Sequence, residues 1–124
     1  MDEEYRVRAY QLLEALVRAI DQDDRQTLKE LFDISDAVAE EIQEVVPKYF
    51  PDEGFSLAIA PFESAFSPAA FGRPNILLFE MNEKGLWGCE CILWNKDQPG
   101  EPTLNVEFSG DAATLSLDYR YIGS

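Results

Sequence analysis

Carboxylates are the side chains of this chain best suited to chemistry, because it has 24 Asp and Glu residues, 10 Lys and Arg residues and no His. General acid–base catalysis at neutral pH usually uses His, so an enzyme here would need a carboxylate whose pKa is raised by burial. The strand-like segments carry four candidates, Glu80, Glu90, Glu107 and Asp118. Strand alternation places the last three on one polar face together with Arg120, where a solvated ion network is the expected outcome. These positions supply no set of nucleophile, base and orienting group, so the sequence predicts a protein that is not an enzyme.

A second group of carboxylates lies between Asp33 and Glu44, where five acids occur without one base. At about 100° per residue, the apolar side chains of this segment fall on one side of a helix, and Asp36, Glu40 and Glu44 fall on the opposite side. Like charges four residues apart cost about 0.2–0.5 kcal/mol per pair, and mixed charges would give the same solubility without that cost. We therefore expect these three acids to bind a basic partner.

The polar strand face is a second candidate surface for that partner, through Glu90, Glu107 and Asp118. Trp94 stands at a strand end and is a candidate anchor at the rim of the interface, because binding hot spots favour Trp, Tyr and Arg. The net charge of −14 argues against nucleic-acid and membrane partners, since both present anionic surfaces. We expect a monomer or a weak dimer.

Metal ions and cofactors are not expected from the motifs. Cys89 and Cys91 are two residues apart in a strand-like segment, and two thiols without a further Cys or a His cannot form a zinc site. We expect them to fill the core in a reducing compartment. The acids Asp21, Asp23 and Asp24 lack the Gly and Glu of an EF-hand loop, so helix capping is their expected role. The sequence has no phosphate loop or dinucleotide motif either.

At 124 residues, the chain is expected to form one domain, with a helical part at 2–50 and an antiparallel sheet at 55–122. Apolar spacing predicts three helices: one over 2–21, a short one after Asp24, and one that begins at Ser35 and ends before Pro47. Alternating segments predict the strands and turn residues predict the connections. The strands are expected at 55–60, 76–82, 86–94, 103–109 and 113–122, with a loop at 61–75 and a long turn at 95–102.

Helices followed by antiparallel strands are typical of an α+β domain. We expect three N-terminal helices packed on a curved, cone-like antiparallel sheet of four to five strands. In the last two strands, alternation predicts one face that packs on the core, with Leu104, Val106 and Phe108 in the first strand and Leu115, Leu117, Tyr119 and Tyr121 in the second. The first residues, MDEEYRVR, are charged, and no apolar segment approaches membrane-spanning length, so we expect a cytoplasmic protein.

The segment LLEALVRAIDQDDRQTLKELF, residues 12–32, resembles the opening helix pair of the nuclear transport factor 2-like superfamily. In members of that superfamily a short acidic turn joins the two helices, and a cone-shaped sheet follows. The resemblance implies an alternative function, a small-molecule binding protein or enzyme that uses the cone interior, with Glu80 or Asp118 and Tyr119 as its polar groups. Enzymes of the superfamily often place a His in the cone, and this chain has none.

The strand-rich half combines Trp87, the Leu93-Trp94 pair, an acidic turn, TLNVE at 103–107 and a closing DYRYI at 118–122. Together these resemble small bacterial immunity proteins encoded beside polymorphic or contact-dependent growth inhibition toxins. The resemblance implies a cytosolic inhibitor that binds a cognate toxin one-to-one and blocks its active site, commonly that of a nuclease. Nuclease clefts are basic because they hold phosphates, so an acidic protein would be attracted to the same cleft.

Overall fold

The computed structural model describes residues 2–50, 54–67 and 72–124 and shows an α+β fold. Three N-terminal helices cover one face of a curved antiparallel sheet, which has five strands among these residues, so the predicted fold class is confirmed. The sheet is open rather than closed into a barrel. Its elements are α1 (Glu3–Gln22), α2 (Arg25–Phe32), α3 (Asp36–Val45), β1 (Leu57–Ala58), α4 (Phe62–Ala65), β2 (Ile76–Glu80), β3 (Leu86–Asn95), β4 (Gln98–Ser109) and β5 (Ser116–Gly123).

Short polar side chains set the ends of the N-terminal helices. The side chains of Asp2, Asp24 and Ser35 each accept a hydrogen bond from the backbone N–H three residues later, as N-caps do. Helices α1 and α2 are followed by Asp23 and Asp33 in the left-handed region, at φ 50° and φ 53°, a common way to end a helix. The predicted capping roles of Asp23, Asp24 and Ser35 are confirmed. The capping role predicted for Asp21 is wrong, because Asp21 lies within α1 and its side chain accepts a hydrogen bond from the backbone N–H of Leu57 at 2.9 Å.

Helical geometry continues past the end of α3. The α-helix ends before Pro47, as predicted, but Val46 keeps helical backbone angles (φ −60°, ψ −45°) and a 3₁₀ helix runs over Val46–Tyr49. Pro47 lies in the first turn of this 3₁₀ helix, where its missing N–H leaves no hydrogen bond unmade.

Strand β3 lies at the centre of the sheet. Strand β4 pairs with one edge of β3, β5 pairs with β4, and the short strands β1 and β2 share the other edge of β3. The long turn predicted at 95–102 is wrong, because Lys96 and Asp97 alone connect β3 to β4, with Lys96 in the left-handed region at φ 58°. The two strands are therefore longer than alternation indicated.

Three other predicted segments differ in detail from the structure. The strand predicted at 113–122 begins at Ser116. The strand predicted at 55–60 shortens to Leu57–Ala58, and the loop predicted at 61–75 contains the single turn of α4. Residues 68–71 of that loop lie outside the described residues.

The three N-terminal helices bury the apolar side of the sheet. Leu13, Leu16 and Ile20 of α1 pack in one cluster with Leu104 and Phe108 of β4, and each of these side chains is buried. The alternation predicted for β4 is therefore confirmed.

An extra residue in β5 changes which of its side chains face outward. The register between β4 and β5 shifts between Asn105 and Val106, and Arg120 has no partner across the pair. This bulge turns Tyr121 to the outer face, where 59% of it is exposed, and turns Ile122 to the core. The prediction that Tyr121 faces the core is therefore wrong.

Candidate protein-binding surface

The acids on one side of α3 meet cations from α2. Arg25 Nη2 lies 3.4 Å from Glu40 Oε2, and Arg25 Nη1 lies 3.8 Å from Asp36 Oδ1. Arg25 Nε also lies 2.6 Å from Asp23 Oδ1, and Lys29 Nζ lies 3.6 Å from Asp36 Oδ2. The prediction of an acidic face without cations is therefore wrong for Asp36 and Glu40, because α2 packs beside α3 and supplies two bases. We refer to Asp36 and Glu40 as the paired acids.

Glu41 and Glu44 are the other two acids of α3, and both are exposed. Neither takes part in an ion pair among the described residues. They are three residues apart, so their side chains are neighbours on the helix surface. We refer to them as the open acids. The sequence singled out Glu44 but missed Glu41, although the spacing of Glu41 from Val38 and Val45 places it at the border of the apolar stripe.

A groove separates α3 from the edge strand β5. Its walls include Val38 and Val45 of α3 and Tyr119 and Ile122 of β5, its volume is about 230 Å³, and Glu41 is the acid that lines it. Burial, with a smaller contribution from the negative charge of Glu41, raises the pKa of Tyr119 to about 12. The groove therefore combines apolar walls with a carboxylate at its mouth.

The outer face of the sheet, which the helices do not cover, carries acids that are already paired. Arg73 Nη2 lies 3.4 Å from Glu90 Oε1. Arg120 Nη2 lies 2.6 Å from Glu107 Oε1 and 3.7 Å from Asp118 Oδ2. The predicted ion network on the polar strand face is confirmed. The three acids proposed there for partner binding share one face, but each has a cation of this chain beside it.

Trp94 is engaged within the chain. Its side chain is half-buried and packs against the core, and its indole N–H donates a hydrogen bond to the Asn75 side chain at 3.2 Å. Strand β1 pairs with it through Ala58. The expected rim anchor is therefore held in the sheet, which leaves little of it to contact a partner.

The alternative site in a cone interior would need Tyr119 to converge with either Glu80 or Asp118. Asp118 is exposed on the outer face, Tyr119 faces the α3 groove, and Glu80 is exposed at the end of β2. The main depressions among the described residues measure about 220–350 Å³ and are open to solvent. Tyr119 therefore shares a pocket with neither Glu80 nor Asp118.

Cys89 and Cys91 are free, buried thiols of the core, as predicted. Burial raises the pKa of Cys91 to about 12 and raises that of Cys89 well above its ordinary value. Because the thiolate is the form that binds metals and attacks electrophiles, neither Cys is suited to such chemistry at neutral pH. Within 2–50, 54–67 and 72–124, no three acidic or thiol side chains come together in a metal-binding arrangement.

No protein-family model, no curated protein and no solved structure matches this chain. None of the described helices has both the length and the apolar character needed to cross a membrane.

Proposed function

We propose that the protein is a one-to-one inhibitor of the bacterial immunity type, which binds and neutralises a cognate basic toxin domain in the cytoplasm. The observation that carries this proposal is the pair of open acids. Glu41 and Glu44 form no ion pair among the described residues, and Glu41 lines an apolar groove. A chain of net charge −14 attracts a basic surface at long range, and the open acids offer that surface new ion pairs at contact.

The proposed class of toxin is a nuclease. A nuclease cleft holds the phosphates of its substrate with Lys and Arg side chains, so it presents clustered positive charge without its substrate. Carboxylates of an inhibitor compete for the same cations. The paired acids add to the negative field of α3, but Arg25 and Lys29 already compensate them at short range.

Under this proposal we expect a neighbouring gene to encode a large protein with a basic C-terminal toxin domain, and the test uses that domain. We expect co-expression with this chain to prevent the growth arrest that the domain causes, and the two purified proteins to form a one-to-one complex. The double variant Glu41→Lys/Glu44→Lys should slow association about tenfold or more at low ionic strength. The difference should nearly vanish in about 1 M salt, where the screening length is about 3 Å.

The matched control is Glu83→Lys/Asp97→Lys, which makes the same change in net charge at two exposed turn residues of the sheet. It should slow association much less, because neither residue lies on α3 or lines the groove. Equal rates for the two double variants would exclude the α3 surface as the binding site. Failure of the wild-type protein to bind the domain or to protect the cells would contradict the proposed function.

A further inference from the structure

The groove between α3 and β5 suits a single side chain of a partner better than a metabolite. Its volume of about 230 Å³ is below the range of about 300–1,000 Å³ that is typical of small-molecule sites. Val38 and Val45 form an apolar wall, Tyr119 lies opposite them, and the exposed carboxylate of Glu41 stands beside them. This arrangement complements a long side chain with an apolar stem and a positive end.

The base that lines the groove is engaged on the other side of β5. Arg120 is the only base among the described lining residues, and its guanidinium is held by Glu107 at 2.6 Å on the outer face. Glu41 therefore forms no ion pair among the described residues. Its charge contributes to the raised pKa of Tyr119, which agrees with a carboxylate that lies close to the tyrosine.

We infer that the groove receives one arginine side chain of the basic partner, with its stem along Val38 and Val45 and its guanidinium between Glu41 and the Tyr119 ring. Arginine fits better than lysine, because a planar guanidinium both pairs with a carboxylate and stacks on an aromatic ring. The inference rests on the proposed function and adds the identity of the side chain that anchors the partner.

The first experiment measures dissociation of the complex with the toxin domain. Removing one partner of a desolvated ion pair mainly raises the dissociation rate, whereas removing a peripheral charge mainly lowers the association rate. Glu41→Gln should therefore raise the dissociation rate constant about tenfold, and Val38→Phe, which fills the groove, should do the same. Glu44→Gln is the matched control outside the groove, and it should change the dissociation rate constant less than about threefold.

The second experiment needs no toxin. The probe is N-acetylarginine amide, added to the isotope-labelled wild-type protein and followed by the NMR signals of backbone amides. We expect saturable shifts at Val38, Glu41 and Tyr119, and no such shifts with the uncharged citrulline analogue. Stronger shifts with the lysine analogue would replace arginine by lysine and so overturn the assignment.

The two experiments separate the inference from the proposed function. If the domain binds and the Glu41→Gln and Val38→Phe complexes dissociate at the wild-type rate, the arginine site is wrong and the inhibitor function stands. If the wild-type protein does not bind the domain, the proposed function fails and the arginine probe alone decides the inference. Absence of shifts in the groove would then overturn it.

Discussion

The paired acids and the open acids lie on one helix of ten residues but have opposite surroundings. Asp36 and Glu40 face α2 and have Arg25 and Lys29 within 4 Å. Glu41 and Glu44 face away from those cations, and Glu41 borders the groove beside β5. The comparison shows that the neighbours brought by the fold, and not the density of acids along the chain, decide which carboxylates are available to a partner.

The largest change in stability is expected at Ile42, the residue of α3 that packs against the core beneath both groups of acids. Ile42 is 2% exposed, and Ile42→Ala should lower the free energy of unfolding by about 2–5 kcal/mol, through lost burial and an unfilled cavity. Urea denaturation measures this change. Leu31→Ala is the control, because Leu31 is 68% exposed and its loss should cost less than about 0.5 kcal/mol. Equal midpoints for the two variants would mean that α3 is not held against the core as described.

Charge reversal of the paired acids should damage the fold itself. Asp36→Lys/Glu40→Lys places two lysines beside Arg25 and Lys29, so we expect the melting temperature to fall by several degrees at low ionic strength and by less in high salt. Glu41→Lys/Glu44→Lys makes the same change in net charge and should keep or slightly raise the wild-type melting temperature, because it removes like-charged neighbours. Identical thermal scans for the two double variants would remove the distinction between paired and open acids.

Acid denaturation tests the cap that positions α2, and with it Arg25. Hydrogen bonds from the Thr27 hydroxyl and backbone N–H hold the pKa of Asp24 below its ordinary value of 3.8. A carboxylate with a lowered folded-state pKa adds stability above its unfolded pKa, and this contribution is lost as the pH falls through the folded value. Asp24→Asn should therefore lose less unfolding free energy than the wild type as the pH falls below about 4.

Asp111, in the turn between β4 and β5, allows the same measurement away from the helices, because hydrogen bonds from Thr114 lower its pKa in the same way. Asp111→Asn should also flatten the acid dependence of stability, but without any effect on the packing of α2 against α3. A wild-type acid slope in Asp24→Asn would show that this cap does not contribute to holding α2 in place.

The smallest effect is expected at Glu44. Glu44 is a helix neighbour of both Glu40 and Glu41, and each like-charged pair at such spacing costs about 0.2–0.5 kcal/mol. Glu44→Gln should therefore raise the free energy of unfolding by a few tenths of a kcal/mol, measured in urea at low ionic strength. A loss of stability would indicate that Glu44 has a favourable partner within the fold, and the open acids would then reduce to Glu41.

Local patterns predicted the helices and most strands, because caps and apolar spacing act within one element. Ser35 and Asp24 marked helix starts from their side chains alone. Alternation likewise predicted the core side of β4, where Leu104, Val106 and Phe108 are buried.

Features that depend on contacts between elements were not predictable in this way. The bulge at Arg120 exchanges Tyr121 and Ile122 between the two faces of β5. A prediction from strict alternation cannot include this exchange, because it treats the strand as regular, without an extra residue. The pairing of Asp36 and Glu40 with Arg25 was not predictable either, because it requires the packing of α2 on α3. Glu41 is a candidate for partner binding because it lines the groove, and the groove exists only where β5 lies beside α3.

The two buried thiols of β3 can report how often the helical layer separates from the sheet. Cys89 and Cys91 lie on the core side of the central strand, so a thiol-modifying reagent reaches them only when the helical layer separates from the sheet. The rate of modification therefore reports how often the layers part, with no added dye and no denaturant. Because ligands that bind only the folded state slow such opening events, the same two atoms would register any partner that the molecule meets.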